Sequence, residues 1–347
     1  MPAPIAASTR VDGGKRLGHP RLDGSHFIVQ LVIPRCCLAI CFGLLAASPA
    51  SADVPAPVEL LRQMAHSLRA IDYQGSYVFQ SGARVDTFRI VHSAARNEGE
   101  WLTRLSGPPD LATRRGQSIT VQQHGKEAVS FFAGPTARLL PLVPADASEL
   151  PNSNYQLRMA GSDRVAGYES DVVDIAATDG YRYSYRLWLD KDHHLPLRAA
   201  VIDDQQRTVE QYMFVMLSIG SAPPDEGVNM AAQGRSAPVV AALAGAARWV
   251  VNDLPVGYTL RARQTMPSAG KDSEQLVFSD GLASVSAYVE PTPEPISDDV
   301  ALARGAMNVY IHRDRNWRYT VLGNVPAATV QRIALSISKV EVATDSN

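Results

Sequence analysis

The chain has 347 residues, which is enough for two domains of ordinary size. Its apolar share of 46% and charged share of 20% are typical of a globular protein and exclude wholesale disorder. The formal net charge of −2 is inconsistent with the basic surface that non-specific nucleic-acid binding requires. We therefore expect a folded protein that does not bind nucleic acid.

Residues 1–52 have the features of a secretory signal peptide. An apolar core at 36–47 precedes a small-x-small site at 50–52, so cleavage is expected before Asp53. The core is too short for a membrane span, which needs about 20 apolar residues. Residues 1–30 are long and polar for the start of such a signal, which is consistent with a misassigned start codon. All three cysteines lie in this segment, so the mature chain is predicted to have neither disulfides nor a cysteine-based metal site.

The mature chain is predicted to begin with a helix and to continue as strands. Apolar residues recur at spacings of three and four over 57–71, which predicts an amphipathic helix with Leu60, Leu61, Met64, Leu68 and Ile71 on its buried side. Strands are then expected over 72–79, 84–92, 101–105, 118–123 and 128–132. Segment 134–154 contains four prolines and is predicted to be irregular.

Four extended runs separated by short polar turns predict an antiparallel meander between Arg164 and Leu217. The runs cover 169–176, 181–189, 195–202 and 208–217. In the second run tyrosine and leucine alternate with arginine and serine, so we expect one apolar face and one solvated face. Residues 53–217 are thus predicted to form one large curved antiparallel sheet whose apolar face needs a cover.

A linker and a second domain are predicted to follow. The composition changes to Pro, Gly, Ala and Ser over 218–247, which is typical of a linker. Residues 248–347 are predicted to form a smaller α+β domain, with strands at 258–264, 274–279, 282–290, 306–312 and 317–323. Pro326 is expected to start a helix with a buried stripe of Val330, Ile333, Ala334 and Ile337. The predicted fold class is therefore α+β, with mainly antiparallel β structure.

No catalytic motif stands out in the sequence. His193 and His194 would point to opposite faces of a strand, so a solvated turn is favoured over a metal site. Asp203 and Asp204 fit ordinary turn chemistry better than a catalytic pair. The chain contains no G-x-S-x-G elbow, phosphate-binding loop or dinucleotide fingerprint. We predict no catalytic residue, metal or cofactor, and a hydrolase with unmarked carboxylates stays an open alternative.

Aromatic side chains are concentrated in the predicted strands of the large sheet. Each one can be explained as part of a core packed by the N-terminal helix, but one helix is a small cover for so broad a sheet. A half-covered curved sheet offers a pocket for an acyl chain, whose burial stabilises by about 0.8 kcal/mol per methylene. The candidate lipid-binding residues are Tyr77, Phe79, Phe88, Trp101, Tyr183, Tyr185, Leu187, Tyr212 and Phe214.

Several segments, in order along the chain, resemble the MucB/RseB family. YVFQSG, FRIVH, RVAG, YRYSYRLWLD, LPLRAAVID and EQYMF resemble its N-terminal domain. VNDLPVGYTL, SDGLASVSAYVE, GAMNVYIHR and VLGNVPAATVQRIALSI resemble its C-terminal domain. Two loops depart from the pattern, since Ser106 stands where an aspartate is expected and His193-His194 where a Thr-Gly type of pair is usual.

The resemblance implies a periplasmic regulator of the extracytoplasmic-stress sigma factor. Such a protein binds the periplasmic part of a membrane-spanning anti-sigma factor, shields it from the site-1 protease and is released by a lipid or lipopolysaccharide signal. The resemblance also implies a LolA/LolB-like large domain. We expect most of the partner surface on the smaller domain, with Tyr310, Arg313 and Trp317 as candidates. The alternative is a periplasmic lipoprotein carrier or lipid-binding chaperone without a sigma-factor role, and the oligomeric state, a homo-oligomer included, stays open.

Overall fold

A computed structural model of the chain describes residues 56–95, 99–132, 138–143, 154–220, 235–236, 247–265, 273–293, 298–314 and 316–340. The predicted signal peptide and most of the predicted linker and proline-rich segment lie outside these described residues. Among the described residues, no helix has the length and apolar character needed to cross a membrane.

The predicted first helix is confirmed as α1, which spans Pro57–Ala70. Proline stands in its first turn together with Glu59, and Arg69 stands in its last turn, an arrangement that suits both the free amides and the helix dipole. Leu60, Leu61, Met64 and Leu68 form its buried stripe, as their spacing predicts.

Twelve strands form the first sheet. They are β1 (Tyr73–Ser81), β2 (Arg84–Ser93), β3 (Gly99–Arg104), β4 (Leu111–Arg115), β5 (Ser118–Gln122), β6 (Val129–Phe132), β7 (Tyr155–Val165), β8 (Tyr168–Ala177), β9 (Ser184–Asp190), β10 (Pro196–Ile202), β11 (Thr208–Ile219) and β12 (Arg235–Ser236). Their order is β12-β6-β5-β4-β3-β2-β1-β11-β10-β9-β8-β7. Every pair is antiparallel except β12 with β6. The large antiparallel sheet is therefore confirmed, with β1 near its centre.

The sheet differs from the prediction in three strands and in one face. β4 and β7 were not predicted, because β4 is dominated by polar residues and β7 is an edge strand with mostly exposed positions. β12 has only two residues and lies within the segment predicted to be a linker. The second face of the meander is not simply solvated. Trp188 is buried there against Leu197 and Val172, and the Arg198 guanidinium carbon lies 4.1 Å from the Trp188 ring centroid.

A second sheet contains β14 (Thr259–Thr265), β15 (Glu274–Ser279), β16 (Ser284–Pro291), β17 (Val300–Arg304), β18 (Met307–Asp314) and β19 (Trp317–Gly323), in the order β14-β15-β16-β19-β18-β17. β13 (Trp249–Val251) pairs with β20 (Ile337–Lys339), and α2 spans Ala327–Leu335. Pro326 is the N-cap of α2 instead of its first residue, and Ile337 lies in β20 instead of the helix. The fold class, mainly antiparallel β with a smaller α+β part, is confirmed.

Each sheet has its own main core, and Ala306 and Leu282 from turns of the second sheet also pack on the core of the first. The stripe of α1 packs on one face of the first sheet, together with Leu140. Val330, Ile333 and Ala334 of α2 pack on the second sheet around Val321. β11 ends at Ile219 and β13 begins at Trp249. The stretch between these two strands, which includes β12, is the one whose composition changes to Pro, Gly, Ala and Ser.

Candidate functional site

The aromatic face of the first sheet is packed against α1. Tyr77, Tyr212 and Phe214 contact one another, with ring centroids 5.6 to 6.0 Å apart, and all three are buried. The same cluster contains Leu61 and Met64 of α1. Residues at the centre of the predicted lipid site are thus core residues in this structure, and an acyl chain would have to displace part of the cover.

The structure brings all the candidate lipid-binding residues except Trp101 into this cluster. Tyr183, Tyr185 and Leu187 belong to it as buried residues, and Phe79 and Phe88 lie half-buried at its margin. Trp101 is buried but points to the other face of the sheet, because its neighbour Leu102 packs on the cluster. The role of these residues in lipid binding stays a prediction.

The tyrosines of the cluster are neutral at physiological pH. Burial raises the pKa of Tyr77, Tyr185 and Tyr212 far above the ordinary value of 10.0. The Tyr212 hydroxyl donates a hydrogen bond to the Pro196 carbonyl, with 2.9 Å between the oxygens. The interior therefore offers rings and neutral hydroxyls to a ligand, and no phenolate.

A buried charged network fixes a second part of the cover. The Glu100 carboxylate accepts hydrogen bonds from the Leu139 amide at 2.6 Å and from Arg114 Nη2 at 3.3 Å. Arg138 Nε lies 3.9 Å from the same carboxylate. The network anchors the segment 138–143 to β3 and β4, so that Leu139 and Leu140 pack on the aromatic cluster. Sequence reasoning missed this network because its members are far apart along the chain.

A second polar cluster joins the two sheets. Arg182 Nε donates to Asp280 Oδ2 at 2.5 Å, and the Tyr155 hydroxyl donates to the same oxygen at 3.1 Å. Arg182 also contacts Asp179 and the carbonyl of Val256. Asp280 lies in the hairpin turn between β15 and β16, so this turn residue has an additional role as an interface residue.

Two further hydrogen bonds cross between the sheets. Asn308 Nδ2 donates to the Tyr183 hydroxyl at 3.1 Å, and Thr329 Oγ1 donates to the Tyr181 carbonyl at 2.7 Å. Tyr181 and Tyr183 precede β9, so the turn that introduces β9 contacts the second sheet, as Tyr155 of β7 does. The alternating pattern predicts Arg182 on a solvated face, but Arg182 is buried because it lies in this contact between the sheets.

A cavity of about 350 Å³ opens beside this interface. Leu142, Tyr185 and Val201 line it from the first sheet and its cover. Leu282, Ala283, Ser284, Ser286, Met307, Leu322, Gly323 and Asn324 line it from the second sheet. Its size falls in the range of small-molecule pockets, roughly 300–1,000 Å³. Tyr185 belongs to both the cavity and the aromatic cluster, so the cavity reaches the edge of the predicted lipid site.

The candidate partner-binding residues lie on two faces of the second sheet. Tyr310 is buried on the side of α2, and its hydroxyl donates to Asp299 at 2.8 Å. Trp317 is half-buried against Trp249, with ring centroids 4.7 Å apart. Arg313 is half-buried and, by strand alternation, faces the opposite side from Tyr310. The structure therefore does not bring the three together, and their role in partner binding stays a prediction.

The described residues form two large sheets and contain no cluster of metal ligands. Within those ranges, no group of three or more His, Cys, Asp or Glu side chains is placed to hold a metal ion. His193 lies in the turn before β10, where its Nδ1 is 2.9 Å from Asp190 Oδ2. The fold defines a two-part protein of mainly antiparallel β structure, with a large sheet covered by α1 and a smaller α+β unit.

Comparison with known proteins places the chain in a family. Residues 56–233 match the MucB/RseB N-terminal domain, and residues 244–338 match the MucB/RseB C-terminal domain. The chain belongs to the MucB/RseB family. The resemblance seen in its sequence segments is thereby confirmed.

Named relatives are regulatory proteins. The chain is 30% identical to the sigma-E factor regulatory protein RseB of Salmonella typhimurium, over 83% of this chain and 92% of that protein. It is 29% identical to the sigma factor AlgU regulatory protein MucB of Pseudomonas aeruginosa, over 86% and 96%. The solved structure of the Pseudomonas aeruginosa MucA/MucB complex is similar with a TM-score of 0.67 and 26% identity, covering 82% of this chain and 99% of that one. The chain thus belongs to a family of regulatory proteins that are not enzymes.

Proposed function

We propose that this chain is a periplasmic regulator that binds the periplasmic segment of a membrane-spanning anti-sigma factor. The observation that carries the proposal is the similarity to MucB in the MucA/MucB complex, which extends over nearly the whole of that chain. The partner surface lies mainly on the smaller domain and includes the half-buried Arg313, with Trp317 and Tyr310 on the opposite face of the sheet as the alternative candidates. In the bound state the segment is shielded from the site-1 protease, because a protease needs a free, extended substrate.

A lipid or lipopolysaccharide signal releases the partner in this proposal. The acyl chain binds against the aromatic cluster, where Tyr77, Tyr212 and Phe214 supply rings and α1 is the element that must give way. Release requires the lipid to prefer the partner-free state, because equal affinity for both states shifts nothing. The helix α1 has only 14 residues with which to cover the cluster, and its small size supports its choice as the element that moves.

Capture of the partner segment tests the proposal directly. The purified mature chain is passed over the immobilised periplasmic segment of the anti-sigma factor encoded with it, and protection of that segment from the site-1 protease is measured in parallel. We expect capture and protection, and a fall in both when lipid A is added. Failure to capture the segment without lipid would remove the regulatory proposal, and lipid transfer without capture would favour a lipoprotein carrier.

A charge reversal on the smaller domain locates the surface. Arg313→Glu is expected to weaken capture at least tenfold. Arg89→Glu on β2 is the matched control, since Arg89 is an exposed strand arginine of the first sheet, and it should capture like the unchanged protein. Equal capture by the two variants would move the partner surface away from Arg313.

A further inference from the structure

We infer that a second copy of this chain pairs with the edge strand β17 and extends the second sheet across a twofold axis. β17 lies at the edge of that sheet, so the amides and carbonyls along its outer side have no partner among the described strands. All five of its residues are exposed to solvent. Such pairing is independent of the proposed function, because it needs no anti-sigma segment.

β17 differs from the other strand edges that the structure describes. The edge strands β7 and β14 each contain a register shift and two arginines. β12, β13 and β20 have three residues or fewer. β17 pairs with β18 in unbroken register from Val300 to Arg304 and contains neither proline nor lysine. Bulges, charges and short length are what usually protects an edge from pairing, and β17 has only the arginine at its end.

One face of this edge is apolar in the middle and charged at both ends. Val300 and Leu302 are 36% and 56% exposed. They share a face with Arg304, since strand residues two apart lie on the same side. Asp298 precedes Val300 at the same spacing and is exposed as well. From one end to the other, this face therefore presents an acid, two apolar side chains and a base.

The other face of the edge supports this alternation and leaves room for a neighbouring strand. Asp299 accepts a hydrogen bond from the Tyr310 hydroxyl at 2.8 Å. Tyr310 is the residue opposite Ala301 in the β17–β18 pair, so Asp299 lies on the face of Ala301 and Asp298 lies on the opposite one. Ala301 and Ala303 are the strand residues on this second face, and their methyl groups do not obstruct a strand placed alongside.

The order of side chains along the edge is complementary to itself. When two copies of β17 run antiparallel with Ala301 facing its counterpart, Asp298 faces Arg304 and Val300 faces Leu302 of the second copy. Each contact then occurs twice, as in a closed twofold interface. Directly opposite residues have Cβ atoms about 4.5–5.5 Å apart, which allows both ion pairs and apolar contact. A shift by two residues in either direction sets a charged side chain against an apolar one, so the sequence selects this register.

The pairing should give a weak dimer. β17 has five residues, and interfaces below about 1,200 Å² are typical of transient association. Exposed ion pairs contribute little and are screened by salt. We therefore expect a dimer that dissociates on dilution and is weakened when the salt concentration rises.

Cross-linking of single-cysteine variants tests the register. The chain from Asp53 onward contains no cysteine of its own. Ala301→Cys stands at the twofold axis and should form a disulfide-linked dimer on mild oxidation with diamide. Ala303→Cys is the matched control on the same face of the same strand. Its two copies would lie about 14 Å apart in this register, so it should cross-link at least tenfold more slowly.

Exchange of the end charges tests the complementarity. Arg304→Asp and Asp298→Arg should each raise the dissociation constant of the dimer at least fivefold, because each sets like charges opposite one another at two places. The double variant restores unlike charges and should return to within twofold of the unchanged protein. Arg261→Asp, at an exposed position of the opposite edge strand β14, is the control and should have no effect. Sedimentation velocity over a dilution series measures the dissociation constants.

Three outcomes would overturn the self-pairing. They are a chain that sediments as a monomer up to its highest soluble concentration, equal cross-linking of the two cysteine variants, and a double charge variant as weak as the single ones. A monomeric chain whose Ala301→Cys thiol is protected from alkylation by the anti-sigma segment would assign the edge to that segment instead. Capture of the segment is measured separately, so its failure would remove the regulatory proposal while the dimer stands.

Discussion

Arg182 and Asp280 form an ion pair between the two sheets in which neither side chain is exposed to solvent. Nε and Oδ2 are 2.5 Å apart, and the Arg182 guanidinium carbon also lies 4.6 Å from the ring centroid of Tyr258. The Asp280 carboxylate accepts the backbone amides of Leu282 and Ala283 as well. One carboxylate therefore shapes the β15–β16 turn and holds that turn against the first sheet.

Removal of the arginine should be strongly destabilising. Arg182→Met leaves Asp280 buried without its counter-ion, and such a loss costs about 3–5 kcal/mol. Urea denaturation followed by tryptophan fluorescence measures the change. Arg186→Met in the following strand β9 is the control, since Arg186 is 38% exposed where it pairs with Asp174, and it should lose about 1 kcal/mol or less. Similar losses for the two variants would contradict a central role for the buried pair.

The stability of the protein should fall as the pH is lowered through the titration of His92. Burial lowers the pKa of His92 below the ordinary value of 6.5, against the opposing attraction of Glu100. Below about pH 6.5 the unfolded chain binds a proton that the folded chain rejects, so the stabilisation present above that pH is lost as the pH falls through the folded pKa. Chemical denaturation at several pH values measures the slope.

Substitution of His92 tests the assignment. His92→Gln should flatten the dependence between pH 5 and 7, because the group whose protonation opposes folding is gone. His66→Gln is the control, since His66 is exposed on the outer side of α1, and it should leave the dependence unchanged. An unchanged slope in a folded His92→Gln variant would place the dependence on other groups.

Truncation of the α1 stripe should open the core of the first sheet. Leu61 is completely buried in the aromatic cluster, so Leu61→Ala should lose about 2–5 kcal/mol through lost burial and the cavity left behind. Arg62→Ala, one position away on the exposed side, should change the stability by less than about 0.5 kcal/mol. Thermal and urea unfolding distinguish the two, and a small loss for Leu61→Ala would mean that α1 is not the principal cover.

A methyl group at Gly75 should disturb the pairing of β1 with β11. A Cβ at this position would lie 2.4 Å from the Met216 carbonyl oxygen, which is backbone and cannot move aside without shifting β11. Gly75→Ala should therefore lower the unfolding midpoint clearly. Gly180→Ala is the control, because a Cβ there meets nothing within 4 Å. Equal midpoints would show that the strand accommodates the change.

The sequence predicts well those elements whose burial is periodic. The three-and-four spacing of Leu60, Leu61, Met64 and Leu68 identifies α1, and alternating residues with short turns identify β8 to β11. β17 escapes prediction because all five of its residues are exposed, so burial leaves no alternation in its sequence.

The polar contacts that join distant elements could not be predicted from local patterns. Glu100 and Leu139 meet only because the segment 138–143 folds back over β3. Arg182 and Asp280 are 98 positions apart, and in their own surroundings they look like a solvated strand residue and an ordinary turn residue. All of the candidate lipid-binding residues except Trp101 lie in one cluster. Trp101 lies on the opposite face of its strand from Leu102, which packs on that cluster.

The strand order determines when the large sheet can close during folding. β1 is flanked by β2 and by β11, and Ser81 meets Glu210 across 129 positions. Because contacts of such separation form only after most of the intervening chain is available, the middle seam of the sheet closes late. Until β11 has been made, a growing chain exposes the stripe of α1 and the inner face of β1, and this is the interval in which aggregation is most favoured.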